Sequence, residues 1–163
     1  MGKNVSSNLL QLLNEQISHE GYNAQLYLKI GTYLRNKGLN KMAAHFIGQV
    51  DEEHSHQKKI ADYLTDRNEE VLALTIPEVA LSFTGIKQIA FLYLKQEQDT
   101  TAKLKSIARA AFEENDLLTF RFLQEVLEYQ RSEEDEALTF QDKAELANDD
   151  WQTILLWDAN FSL

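Results

Sequence analysis

Four long stretches of this chain repeat their apolar residues at alternating steps of three and four, and no other feature limits its possible folds so strongly. In the first stretch the repeat runs through Leu10, Leu13, Ile17, Ala24, Tyr27 and Leu34. That spacing puts the apolar side chains on one face of an α-helix. The only proline is Pro77, so little else in the sequence would break a helix. The sequence therefore predicts an all-α fold.

Capping residues and glycines indicate where the helices begin and end. The segment Ser6–Asn8 is typical of a helix start, Gly38 of a helix end, and Asn115 or Asp116 of a further start. We predict four long helices and a short fifth, at about 6–36, 40–67, 84–112, 116–144 and 150–160.

The lengths of the connections predict how the long helices are arranged. Only a few residues join the first helix to the second and the third to the fourth, so each pair should be antiparallel neighbours. The connection from Asn68 to Ser82 can run the length of the bundle, at about 3.3 Å per residue. We expect a single domain over 1–163, a four-helix bundle with one long crossover connection and a short fifth C-terminal helix.

Composition limits the partners that this chain could have. The net charge of −10 at pH 7 argues against nucleic acid, because a phosphate backbone would be repelled. No apolar run approaches the ~20 residues that span a bilayer, and the N-terminus lacks the apolar core of a signal peptide. The chain has no cysteine, so a metal site would use oxygen and imidazole ligands. We expect a cytoplasmic protein with no nucleic-acid partner and no membrane partner.

Each of the four apolar stripes is interrupted near its middle by ionisable or amide side chains. In helix order, the interruptions are Glu20, then Glu53 and His56, then Glu97, then Gln130 and Glu133. Helices of similar length that pack side by side bring their midpoints to one level. These residues should therefore meet in one layer inside the bundle.

Four carboxylates in a dry interior need compensation. Each would cost several kcal/mol or be forced to protonate, and the stripes carry no lysine or arginine to pair with them. Two divalent cations would balance the four negative charges, and the imidazole of His56 would add a nitrogen ligand. The sequence therefore predicts a di-metal site, suited to iron or manganese, with zinc as a common substitute.

The same residues resemble the motifs of the ferritin-like di-iron carboxylate proteins, and specifically of the non-haem bacterial ferritins. The similar segments, one in each long helix, are LNEQISHEGYNAQLY, DEEHSHQKKIADYL, KQEQDTT and FLQEVLEYQRSEEDEA. The resemblance extends over nearly the whole chain.

This resemblance implies a di-iron ferroxidase centre, at which dioxygen or peroxide oxidises Fe(II). The residues that would form it are Glu20, Glu53 and His56 at the first iron, Glu53 and Glu97 at the second, and Gln130 and Tyr27 beside them. Glu53 would then bridge the two ions. Tyr27 would donate an electron or hold a ligand by a hydrogen bond.

The resemblance also implies self-assembly. In ferritins the ferric mineral grows inside a hollow shell of about 24 subunits, so this chain is expected to form such a homo-oligomer and to store iron. The fifth helix would line the four-fold channels of the shell, and Trp151, Leu155 and Trp157 are expected on the outside of the bundle.

Bacterial ferritins often have a third iron site toward the shell interior, built from glutamates of the second and fourth helices. Glu52 and Glu133 fit that site, but Tyr129 and Ser132 stand where further glutamates are expected. The resemblance thus implies a third site that is weak or absent.

The residues expected along the route of iron entry also differ from those of animal ferritins. Arg121 and Gln124 occupy positions that are acidic in the three-fold channels of animal ferritins. The acidic turn with Glu113, Glu114 and Asp116 is then a candidate for attracting iron, although an ordinary solvated loop is the favoured alternative.

Two further predictions concern histidines that lie outside the apolar stripes. His54 stands where haem-carrying bacterioferritins have a methionine, so no haem is expected. His19 and His45 are predicted to be surface or interface residues.

Other functions fit the same polar layer. A di-metal oxidoreductase without storage, such as a rubrerythrin-like peroxide reductase, would use similar ligands, but those proteins usually carry a cysteine-ligated rubredoxin domain. A structural bundle would use the layer to fix helix register without metal. The mini-cages that protect DNA have their iron sites between subunits and lack the fifth helix. The leading hypothesis is iron storage with ferroxidase activity.

Overall fold

The computed structural model of the protein describes residues 5–163. Its five α-helices are α1 (Ser7–Asn36), α2 (Asn40–Asp66), α3 (Ile86–Glu113), α4 (Leu117–Ala147) and α5 (Trp151–Ala159). The described residues contain no β-strand. The predicted all-α fold, a four-helix bundle with a short fifth helix, is confirmed. Residues 1–4, part of the segment considered for a signal peptide, lie outside the described range.

The capping residues act as the sequence indicates. Ser6 accepts a hydrogen bond from the backbone N–H of Leu9 at the start of α1, and Asp116 accepts one from Thr119 at the start of α4. The fourth helix continues three residues beyond the predicted end, to Ala147, and stops at Asn148, which adopts a left-handed conformation with φ 48°.

The long connection crosses the bundle as predicted. Helix α1 packs on α2, and α3 on α4, while α1 also contacts α3. Residues 67–85 form neither helix nor strand, and side chains of α1 hold this segment in place. Asn14 accepts a hydrogen bond from the N–H of Leu72 (2.7 Å), and Lys29 donates one to the carbonyl of Val79 (3.0 Å).

Two apolar clusters fill the bundle, one toward each end. The first is rich in aromatic side chains and includes Tyr27, Phe46, Tyr93 and Phe140. The second is mainly aliphatic and includes Leu13, Ile60, Leu104 and Leu123. Along every long helix the two clusters are separated by the residues that interrupt the stripe, so the polar layer lies between them.

Helix α5 closes the aromatic end of the bundle. Asp158 accepts a hydrogen bond from the backbone N–H of Met42 (2.8 Å), and Trp157 packs against Phe140 with ring centroids 5.0 Å apart. Trp151 and Leu155 are exposed as predicted, but the prediction for Trp157 is wrong, because its indole joins the aromatic cluster. No helix in residues 5–163 is long and apolar enough to cross a lipid bilayer.

Candidate metal centre

The side chains that interrupt the stripes lie together in the middle of the bundle. The four buried side chains are those of Glu20, Glu53, Glu97 and Gln130. The two partly exposed ones are those of His56 and Glu133. The structure thus brings together every residue of the predicted layer. Their role as metal ligands stays a prediction.

Two groups of possible ligand atoms share the carboxylate of Glu53. In the first group, atoms of Glu20, Glu53 and His56 all lie within 4.8 Å of one another. The same limit holds in the second group, which consists of Glu53, Glu97 and Glu133. The i, i+3 spacing puts Glu53 and His56 on one face of α2. Glu53 therefore lies where a ligand that bridges two ions is needed.

The resemblance implies Gln130 beside the second position, and Glu133 supplies a third possible carboxylate ligand there. The Gln130 amide donates to Oε2 of Glu97 (2.7 Å) and to the Glu97 carbonyl (3.2 Å). Gln130 thus orients Glu97.

Burial makes it unfavourable for these carboxyl groups to ionise. It raises the pKa of Glu20 and of Glu53 well above the ordinary value, and a neighbouring carboxylate raises each further. Burial also raises the pKa of Glu97, and it raises that of Glu133 to about 8. The basic partner within the layer is His56, whose ring nitrogens lie 3.6 Å from Glu53 and 3.2 Å from Glu133. One imidazole cannot balance four carboxylates.

Two carboxylate oxygens of the layer are buried without a hydrogen-bond partner among the described residues. They are Oε1 of Glu53 and Oε2 of Glu133. Native proteins rarely leave such atoms unsatisfied, and each case needs an explanation. A cation between Glu53 and its neighbours would satisfy these oxygens, so the donor set fits hard divalent metal ions.

Tyr27 lies directly beside the second group. Its side chain is fully buried, and its hydroxyl donates a short hydrogen bond to Oε1 of Glu97. Burial, followed by the charge of Glu97, raises the pKa of Tyr27 well above its ordinary value. The phenol therefore keeps its proton and holds Glu97 in place.

Sequence reasoning missed a layer of amides behind Glu20. Gln16 donates to Glu20 (2.7 Å), and Asn23 donates to Glu20 (3.1 Å) and Glu53 (3.4 Å). Both amides lie within one helical turn of Glu20, and this spacing is the signal that would have identified them. Partners of this kind orient metal ligands.

Comparison with known proteins agrees with this geometry. Residues 10–147 match the sequence profile of the ferritin-like domain family, Ferritin. This chain belongs to the ferritin family. It is 32% identical over 154 residues to the bacterial non-heme ferritin of Staphylococcus haemolyticus, a match that covers 94% of this chain and 93% of the relative. The corresponding protein of Staphylococcus saprophyticus is 33% identical, with 94% and 92% covered.

Solved structures give the same result. An open pore ferritin from the archaeon Archaeoglobus fulgidus superposes with a TM-score of 0.93 at 28% identity, covering 98% of each chain. Chlorobium tepidum ferritin superposes with a TM-score of 0.86 at 26% identity, covering 96% of this chain and 94% of the other. Together these comparisons support iron storage as the function of this ferritin-family chain.

A third group of possible ligands opens toward the surface formed by α2 and α4. It consists of Glu52, His56 and Glu133, so it shares two members with the groups inside the bundle. Where further glutamates were expected, the ammonium of Lys59 lies 4.1 Å from the ring centroid of Tyr129. A positive charge thus stands beside this group, and the expectation of a weak or absent third site stays a prediction.

Two acidic side chains at the turn between α3 and α4 have partners from other parts of the chain. Asp116 forms an ion pair with Arg67 (3.1 Å), and Glu114 accepts a hydrogen bond from Asn8 (2.8 Å). Because Arg67 already balances Asp116, that carboxylate is poorly suited to attract iron. Glu113 remains exposed.

His19 and His45 were predicted to be surface or interface residues; neither is fully exposed on the bundle surface, and an interface position stays a prediction. His19 contacts the hydroxyl of Thr100 (2.7 Å), and His45 packs between aromatic rings. Both side chains are half-buried. Burial lowers the pKa of each imidazole to about 4, so both are neutral at neutral pH.

Proposed function

We propose that this chain is a ferroxidase subunit, which oxidises Fe(II) within its helix bundle and deposits ferric mineral inside a cage of identical copies. The observation that carries the proposal is the pair of ligand groups that share Glu53. Four carboxylates converge there, two of their oxygens have no hydrogen-bond partner, and the layer itself supplies only one imidazole.

Iron is the substrate in this proposal. Glu20, Glu53 and His56 would bind one Fe(II), and Glu53, Glu97 and Glu133 would bind the second. Each ion would give one electron to dioxygen or peroxide, which is the chemistry that iron itself supplies. The protein would hold the two ions at a fixed separation and exclude bulk water.

The charge of the site suits two Fe(II) ions, because their four positive charges would balance the four carboxylates. Tyr27 would orient Glu97 for binding of Fe(II), because its hydroxyl donates to that carboxylate.

A cavity of about 220 Å³ supports a route for the product. Its lining includes Glu20 and His56 on the side of the centre and Glu52, Lys59 and Tyr129 toward the surface of α2 and α4. In a ferritin-like shell this face would point inward, and the released iron would enter the storage space.

Exposed apolar side chains support assembly into a cage. Phe112, Leu117 and Leu118 stand together at the turn between α3 and α4, each more than half exposed. A patch of this kind on a water-soluble bundle is explained when a second copy covers it. We propose a homo-oligomer of about 24 copies in the cytoplasm.

Oxygen consumption after addition of Fe(II) tests the proposed activity. Glu53→Ala removes the shared ligand and should slow oxidation at least ~100-fold. Loss of a residue that only supports a ligand slows a reaction by up to ~100-fold, so loss of the ligand itself should cost at least as much. Glu125→Ala changes an exposed glutamate of α4 and should leave the rate unchanged. The proposal is wrong if the wild-type protein neither consumes oxygen nor retains iron.

Native mass, with iron content read on the same chromatographic peak, tests storage. A particle of about 24 chains with far more than two irons per chain is the expected result. A monomer or dimer with at most two metal ions per chain would instead favour a non-storage oxidoreductase of the rubrerythrin-like kind.

A further inference from the structure

A second tyrosine lies behind Tyr27, on the side away from Glu97. The rings of Tyr27 and Tyr93 meet edge to face with centroids 5.4 Å apart, and both side chains are fully buried. Tyr93 also contacts Phe46 (5.0 Å) and Phe140 (6.0 Å). The two phenols are therefore in direct contact inside a dry aromatic cluster.

Each of these phenols has its own proton acceptor. The Tyr27 hydroxyl donates to Glu97, and the Tyr93 hydroxyl lies 3.4 Å from Nε2 of His45. Burial lowers the pKa of His45 to about 4, so its neutral imidazole has a ring nitrogen free to accept a proton. A buried phenol can lose an electron readily only when its proton has somewhere to go, because a charged phenol cation is poorly solvated in such a site.

From this geometry we infer that Tyr93 is a second redox-active tyrosine, which reduces oxidised Tyr27 while its phenol proton passes to His45. The inference rests on the proposed ferroxidase function and extends it to incomplete occupancy of the centre. It assigns a redox role to Tyr93 and a proton-accepting role to His45, which the sequence indicated only as a surface or interface residue.

The step is needed when hydrogen peroxide meets a centre that holds one Fe(II). Peroxide takes two electrons and two protons to give two waters, and Fe(II) supplies one electron. Tyr27 supplies the other electron and one proton, the second proton comes from solvent, and Tyr27 becomes a neutral phenoxyl radical. No hydroxyl radical is then released beside the ligands.

Tyr93 would next restore Tyr27. One electron passes from Tyr93 to the Tyr27 phenoxyl, which takes up one further proton from solvent on the side of Glu97. The proton of Tyr93 moves to Nε2 of His45, and the half-buried imidazolium, with a pKa of about 4, then releases a proton to solvent, so the products are intact Tyr27, a Tyr93 phenoxyl and a neutral imidazole. The oxidised site thereby moves away from the ligand Glu97 and into the aromatic cluster.

Freeze-quench electron paramagnetic resonance tests this inference. Protein loaded with one Fe(II) per chain is mixed with hydrogen peroxide, and the phenoxyl signal is followed in time. In the wild type we expect an early component from Tyr27 that converts to a later component from Tyr93. Tyr93→Phe removes only a hydroxyl, and it should abolish the later component while the early one persists.

Two further variants separate the proposed roles. His45→Gln retains a hydrogen-bond acceptor but not a base, so it should also abolish the later component although Tyr93 is present. Tyr33→Phe is the matched control, since Tyr33 is on the same helix as Tyr27 but packs against Phe83 and beside Lys37, and its signals should equal those of the wild type.

The outcomes are distinguishable from failure of the proposed function. If wild type and Tyr93→Phe oxidise Fe(II) equally and show the same radical signals, the role of Tyr93 is wrong and the ferroxidase proposal stands. If wild type does not oxidise Fe(II) at all, both are wrong. Unchanged signals in His45→Gln would overturn the role of His45 as proton acceptor.

Discussion

Two polar clusters each include side chains of α2 and α4, and they differ in whether they contain their own counter-charge. In the terminal cluster, Arg67 pairs with Asp116 (3.1 Å), and Tyr63 and Thr119 share a hydrogen bond (2.8 Å). Burial would raise the pKa of Asp116, but hydrogen bonds from Thr119 and Arg67 outweigh it, and the pKa is lowered. This cluster is electrically complete, so it needs no further partner.

The central cluster has the opposite balance. Glu20, Glu53, Glu97 and Glu133 all have raised pKa values, with burial as the largest cause. The terminal cluster thus stabilises the fold, whereas the central cluster destabilises it unless cations are bound. The difference between them shows that uncompensated charge, rather than polarity alone, marks the candidate metal centre.

The largest expected effect is on how stability changes with pH in the metal-free protein, because four carboxyl groups contribute to it. A carboxyl group with a raised folded-state pKa holds a proton that the unfolded chain has released. Stability then falls as the pH rises from the ordinary value toward the folded-state value. For Glu133 that window runs from 4.5 to about 8.

The buried imidazoles lower the stability of the metal-free protein on the acidic side of its pH profile. His19 and His45 have folded-state pKa values of about 4 against an ordinary 6.5, so stability is lost as the pH falls below 6.5. Because the four carboxyl groups outnumber the two imidazoles, the free energy of unfolding in urea should be greatest near pH ~4.5, fall through pH ~6 and be lower still at pH ~8. Zinc, which is redox-inert, should remove the decline toward pH ~8. Greater stability of the metal-free protein at pH ~8 than at pH ~6 would contradict the prediction.

Removal of the counter-charge should make the terminal cluster resemble the central one. Arg67→Ala leaves Asp116 unpaired in a mostly buried position and should lower the free energy of unfolding by about 2–4 kcal/mol. Arg131→Ala removes an exposed ion pair with Glu128 and should cost less than about 1 kcal/mol. Equal effects in chemical denaturation would show that burial does not distinguish the two pairs.

Removal of one charge from the central cluster should have the opposite sign. Glu53→Gln preserves the shape of the side chain and abolishes its charge, so the metal-free protein should gain about 1–2 kcal/mol of stability at pH ~8. Glu125→Gln, at an exposed position of α4, should change stability by less than about 0.5 kcal/mol. A loss of stability in Glu53→Gln would mean that the structure needs the ionised carboxylate even without metal.

The smallest effect is expected where a side chain only orients a ligand. Gln130→Ala removes the hydrogen bond to Oε2 of Glu97 and should slow Fe(II) oxidation about 10-fold. Gln124→Ala, on the exposed side of the same helix, is the control and should not change the rate. A decrease as large as that of Glu53→Ala would indicate that Gln130 is itself a ligand.

The sequence by itself determined the helices and the level at which the polar layer forms. Both follow from local rules, because helical periodicity assigns each residue to a face and capping residues mark the ends. That is why the sequence alone places Glu20, Glu53, Glu97 and Gln130 in one layer and marks Ser6 and Asp116 as capping residues.

Only the tertiary structure decided which partner each of these side chains meets. Glu133 joins Glu53 and Glu97 while Gln130 turns to Glu97, and that choice depends on the rotation of α4 and on side-chain rotamers. His45 is half-buried because α3 and the C-terminal residues bring Tyr93 and Phe161 against it. Periodicity describes one helix at a time, whereas these contacts join atoms on different helices. Their distances are set by packing, which no local pattern in the sequence records.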